Sequence, residues 1–140
     1  MDPLDRFVAA QARDYAVALA ELQRGRKTSH WIWYVFPQIA GLGRSDMAQR
    51  YAITDLAEAR AYLAHPVLGP RLREAAAALL AHAGNRAAIA ILGDIDAVKV
   101  RSSMTLFEAA DTETDSVFAA CLDAFYAGSR DPETLRRIIC

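Results

Sequence analysis

Residues 27–45 read Lys-Thr-Ser-His-Trp-Ile-Trp-Tyr-Val-Phe-Pro-Gln-Ile-Ala-Gly-Leu-Gly-Arg-Ser, and six of them, Trp31 to Phe36, form an unbroken aromatic and branched apolar block. Both tryptophans of the chain lie in it. So dense a block must be buried, and it ties its polar flanks to the interior of the fold. Ser29 can cap a short helix running to Phe36, where Pro37 stops it. Periodicity over six residues does not separate helix from a buried strand. No other segment is convincingly rich in Val, Ile and Thr, so a strand here would lack partners, and the block reads as helix.

The rest of the chain carries helix punctuation. Asp2-Pro3-x-Asp5 opens a helix bearing Phe7, Val8, Tyr15, Leu19 and Leu22, which Gly25 ends. Ser45 caps a short helix to Tyr51, and Asp55-x-x-Glu58 is a capping box for one reaching about Ala64. His65-Pro66 breaks it. Gly69-Pro70 opens the next, with Leu72, Ala76, Leu79 and Leu80 inward, and Gly84-Asn85 turns the chain into another. The Gly93-Asp94-Ile95-Asp96 turn begins a helix to about Ala110, Asp115 or Ser116 begins one carrying Cys121, and Asp131-Pro132-Glu133 begins the last. The expected architecture is one all-α domain spanning 1–140, with seven or eight mostly short helices.

A chain of 140 residues is one domain by size and buries roughly two-thirds of its unfolded surface, enough for a core without disulfides or metals. A formal net charge of −1 leaves no electrostatic footprint for nucleic acid or an anionic membrane, and no recognition motif for nucleic acid appears. The two cysteines, Cys121 and Cys140, form no ligand pair; so few in a chain this long points to a reduced, cytoplasmic setting. Cys121 falls on a buried helix face, and Cys140 reads as exposed and unpaired. The N-terminus is no signal peptide, and the longest uncharged stretch, residues 28–43, is too short and interrupted to span a bilayer. His30, His65 and His82 lack ligand spacing, so neither metal nor cofactor is expected.

Chemistry concentrates in two segments. Lys27 and Lys99 are the only lysines among sixteen basic residues. On the helix over 99–110, Val100, Met104 and Phe107 face inward, and Arg101, Thr105 and Glu108 face solvent. Lys99 and Ser103 take a half-buried flank, where an ammonium needs an acid, a carbonyl or an anionic ligand. Ser102-Ser103-Met104-Thr105 crowds hydroxyls into a helix interior, where they either bond back to carbonyls at i−4 or serve a site. Gly41-Leu42-Gly43-Arg44-Ser45 can present backbone N–H groups and a guanidinium to an anion, or simply turn and cap. His30 is the natural acid/base near neutral pH.

The ordered motifs Lys27-x-Ser29-His30-Trp31-x-Trp33-Tyr34-x-Phe36-Pro37-Gln38-x-x-Gly41-Leu42-Gly43-x-Ser45, Tyr62-Leu63-x-His65-Pro66-x-Leu68-Gly69-x-Arg71-Leu72 and Asp96-x-x-Lys99-x-x-Ser102-Ser103-Met104-Thr105-Leu106-Phe107 resemble a bacterial domain-of-unknown-function family, number 1810, over nearly the whole chain. Some members of that family carry the label "calpastatin"; a calpain inhibitor is a disordered repeat protein, which this chain does not resemble. The resemblance implies a compact helical fold and no particular activity. Together the motifs and the resemblance select Lys27, Ser29, Gln38, Gly43, Arg44, Ser45, Lys99, Ser102 and Ser103 as ligand-binding residues, with His30 as the catalytic candidate. The first expectation is a pocket where segments 27–45 and 96–107 meet, taking a small anion that bears phosphate or carboxylate. The alternative is a non-catalytic interaction module or homodimer in which the polar motifs tie the fold together.

Overall fold

A computed structural model describes residues 2–139, so the reading of Cys140 lies outside the described residues. Among the described residues nine helices follow in order: α1 Asp5–Arg24, α2 Ile32–Val35, α3 Asp46–Arg50, α4 Leu56–Ala64, α5 Leu68–Leu80, α6 Ala88–Leu92, α7 Asp94–Ala110, α8 Val117–Tyr126 and α9 Pro132–Ile138. None is long and apolar enough to cross a membrane. The all-α class is as the capping signals imply, with two or one more short elements than expected.

The caps form as their chemistry demands. Asp55 accepts from the Glu58 amide at 2.8 Å while Glu58 accepts from the Thr54 amide at 2.9 Å, fastening both sides of the start of α4. Ser45, Ser116 and Asp131 cap α3, α8 and α9. Gly25 ends α1 in the left-handed region, φ 80°, that glycine enters without cost. His65 does more than break α4: its Nδ1 accepts from the Val67 and Leu68 amides and so opens α5. Leu63 then lies so close under Gly69 that a Cβ there would sit 2.1 Å from the Leu63 carbonyl oxygen.

α7 is the central helix, packed against α4, α6, α8 and α9, while α5 joins α8, α1 and α4. Rings thread the core from Tyr51 through Phe7, Tyr62 and Phe107 to Phe118, with successive centroids 5.7, 5.2, 5.2 and 6.0 Å apart. Trp31, Ile32, Tyr34, Val35 and Phe36 are buried, as so apolar a run requires. Only four residues of that run are helical, because the chain leaves α2 through Phe36 into an extended segment. There Ile39 pairs with Ile53 in an isolated parallel bridge, closed by Ala40 N to Ile53 O (2.8 Å) and Ile53 N to Gln38 O (2.9 Å). That bridge anchors the 38–43 turn beside α7.

One expectation for α7 fails. Thr105 was assigned to solvent, yet it is 1% exposed. The loop into α9 covers it, and its hydroxyl donates to the Arg101 carbonyl (2.8 Å) while accepting from the Asp131 amide (3.0 Å). A central helix has no solvent side at that level.

Candidate functional site

The two segments singled out by sequence do meet. Lys27 is pinned by its own amide to the Ile91 carbonyl (2.8 Å), which brings its side chain to the start of α7. Its ammonium, on a side chain only 7% exposed, bonds Asp96 Oδ2 at 2.8 Å and the Ser29 carbonyl at 2.5 Å, and lies 4.9 Å from the Trp31 ring centroid. Burying an ammonium costs several kcal/mol unless it is paired, and here a carboxylate, a carbonyl and an indole face offset that cost. Asp96 Oδ1 is 3.9 Å from the Lys99 ammonium, which stands 5.1 Å over the Trp33 ring. One carboxylate thus holds both lysines, each against one of the two tryptophans.

Beneath this lies a carboxylate that sequence reading missed. Glu21, 3% exposed on α1, accepts from the Thr28 and Ser29 amides, the Ser29 hydroxyl and the Trp31 indole at 2.8, 2.9, 2.5 and 2.9 Å. Burial pushes its pKa up, but these four donors outweigh burial and hold it at about 2. Ser29 is therefore a partner of Glu21 rather than the cap of α2, whose cap position is Trp31. The signal was present: Glu21 shares helical spacing with buried Ala18 and Leu22.

Three segments then border an open cleft of about 500 Å³: the 38–43 turn, the first half of α7, and the start of α9. Leu42, Ile95 and Val98 supply apolar walls, and Gln38, Lys99 and Ser102 supply hydrogen-bonding groups. Three carboxylates, Asp94, Asp131 and Glu133, complete the lining. Asp131 is occupied by the Ser102 hydroxyl (3.1 Å) and by the amide and hydroxyl of Thr134 (3.1 and 2.6 Å). Glu133 pairs with Arg136 at 2.7 Å. Among the described residues no group of His, Cys, Asp and Glu could hold a metal ion.

Of the expected site residues, Gln38, Gly43, Lys99 and Ser102 line the cleft. Lys27 and Ser29 stand behind it in the Asp96 and Glu21 networks. Arg44 and Ser45 are exposed, Ser45 being spent on its cap to the Ala48 amide (3.1 Å). Ser103 is fully enclosed, and its hydroxyl has no partner among the described residues. His30 is exposed and does not line the cleft. The same Ser102 hydroxyl lies 3.3 Å from the Val98 carbonyl, so its single proton is shared between Asp131 and that i−4 acceptor. Leu42, Ile95, Val98 and the three carboxylates had no sequence signal of their own, since only the arrival of α9 makes them a lining.

A family model of proteins of unknown function, DUF1810, matches residues 1–138. The chain belongs to the DUF1810 family. Among solved structures it is similar to the conserved hypothetical protein Rv1873 from Mycobacterium tuberculosis, at 45% sequence identity over 99% of both chains and a TM-score of 0.94. No curated protein matches the chain. As a DUF1810 chain it shares a fold with a solved protein that is itself described only as conserved and hypothetical.

Proposed function

We propose that this DUF1810 chain is a bacterial cytosolic protein that binds a small molecule in the cleft between the 38–43 turn, α7 and α9. The carrying observation is convergence: three segments distant in sequence border about 500 Å³ with apolar walls and a few polar groups at Gln38, Lys99 and Ser102, the size and character of ligand sites in general. The ligand that fits is a compact apolar body with one polar head at Lys99. A monocarboxylate or a neutral hydroxyl suits that end. A multiply charged phosphate would meet one ammonium, already shared with Asp96, and the field of Asp94, Asp131 and Glu133. The reading is one of binding, since the lining holds no nucleophile beside a free base: the Ser102 hydroxyl is taken up by Val98 and Asp131.

Thermal shift against alcohols, carboxylates and phosphate esters of matched chain length tests this, with Lys99→Ala in parallel. A ligand at a hundred times its Kd stabilises by about 2.7 kcal/mol, a rise of roughly 6–11 °C for a domain of this size. We expect such a rise with the neutral or carboxylate series, a smaller one in Lys99→Ala for the carboxylates, and quenching changes in Trp33 as Lys99 moves on its ring. No shift in any series would mean that the cleft is a surface furrow.

A further inference from the structure

One edge of α7 is left partly uncovered, with Asp94 and Val98 exposed, Arg101 half-buried and Ala97 buried between them, and its charges are complementary to themselves. Asp94, Ala97, Val98 and Arg101 follow at i, i+3, i+4 and i+7, one row along a helix. All four border a second cleft of about 280 Å³, whose far wall includes Ile89, Phe125 and Tyr126. Two of the most exposed large apolar side chains of the described residues stand here, Ile89 at 60% and Val98 at 62%, while Ile95 at 73% lies toward the ligand cleft. At the N-terminal end of the row, Asp94 makes no side-chain hydrogen bond or ion pair among the described residues. At the C-terminal end, among the described residues, Arg101 donates only to Ser129 O, Ser129 Oγ and Arg130 O (2.9, 2.6 and 2.8 Å), with no carboxylate to balance its charge.

An unpaired acid and an uncompensated guanidinium therefore stand two turns apart, about 10 Å along the axis, with an exposed valine between them. A two-fold axis between Ala97 and Val98, crossing α7, lays two copies of the helix antiparallel. It then brings each Asp94 to the partner's Arg101 and packs the valines together beside the axis. Both charge pairs form at once, as an isologous interface requires. We propose that the chain forms a weak two-fold dimer through this stripe of α7, with Ile89 and Ile95 at its apolar margins. The evidence for the dimer is separate from that for the ligand, but Asp94, Ile95 and Val98 also line the ligand cleft, so the dimer would cover one rim of it.

Sedimentation equilibrium over roughly 1–500 µM reads the association directly, at concentrations that bracket a weak complex. Wild type should move from the 15.3 kDa monomer toward twice that mass. Val98→Asp, at a side chain already in solvent, should remain monomeric with unchanged circular dichroism. Asp94→Arg and Arg101→Asp each place like charges across the axis twice and should weaken the dimer by roughly tenfold or more. An equimolar mixture of those two variants restores both opposite pairs and should dimerise again. A monomeric wild type throughout overturns the proposal. So does a dimer indifferent to Val98→Asp and Asp94→Arg, or a mixture of the folded charge variants that fails to recover. If Arg101→Asp does not fold because its loop contacts are lost, the Val98→Asp and Asp94→Arg results decide alone.

Discussion

Replacing Glu21 with glutamine should cost more than any surface change and should do so in a pH-dependent way. Glu21→Gln is close in shape to the protonated carboxyl, so its cost approximates that of neutralising the native group. In the fold the carboxyl is held at about 2 against an ordinary 4.5. At 1.36 kcal/mol per unit, that difference contributes about 3 kcal/mol to stability at neutral pH. Because the folded value is the lower one, the contribution is complete above about pH 5 and is lost as pH falls from 4.5 towards 2. Urea unfolding of both proteins at several pH values measures it. The gap between wild type and Glu21→Gln should be about 3 kcal/mol at pH 7, corresponding to a Tm lower by about 10 °C, and should shrink to about 1 kcal/mol near pH 3. A gap below about 1 kcal/mol at pH 7, or one that does not change with pH, would refute the claim that four donors hold this carboxylate charged.

Other substitutions probe separate links. Ser103→Ala removes an enclosed hydroxyl that has no partner among the described residues, so denaturant melts should show it neutral or more stable by up to about 1 kcal/mol; a clear loss would reveal a bond or role not accounted for. Gly69→Ala drives a Cβ to 2.1 Å from the Leu63 carbonyl oxygen and should destabilise by about 2 kcal/mol or more by forcing α5 off α4, read as a lowered urea midpoint. Cys121, fully buried with its thiol pushed up to about 12 by burial, should resist an aromatic disulfide reagent until the protein is unfolded. Lys27→Met leaves Asp96 only its longer contact to Lys99 and strands the Ser29 carbonyl, and should lose about 3 kcal/mol, against under about 1 kcal/mol for Arg136→Ala on the surface.

What was legible in the sequence was local. Asp55-x-x-Glu58, Ser116 and Asp131-Pro132 mark helix starts through bonds that span three residues, and those bonds form as read. What failed depended on distant chain. Ser29 looked like the cap of α2, but the nearest strong acceptor, Glu21, lies on α1 and only folding brings it there. An amphipathic helix is expected to have one wet face, which would turn Thr105 outward, but at that level of α7 the 129–131 loop covers the position. The site followed the same division. That segments 27–45 and 96–107 meet was expected because the polar motifs concentrate in them, but the carboxylate that joins them, Asp96 between Lys27 and Lys99, was not read as that link. Which side chains line the cleft was not, because a third wall, α9, begins some thirty residues after Ser102.

The central claim, a small-molecule site in the α7–α9 cleft, is met most directly by amide-resolved NMR of the labelled protein titrated with a library of small apolar carboxylates, alcohols and phosphates. The account predicts saturable shifts that appear together at Gln38, Leu42, Gly43, Val98 and Ser102, with His30 and Arg44 unmoved. Shifts scattered over the surface, or saturable binding centred elsewhere, would contradict it.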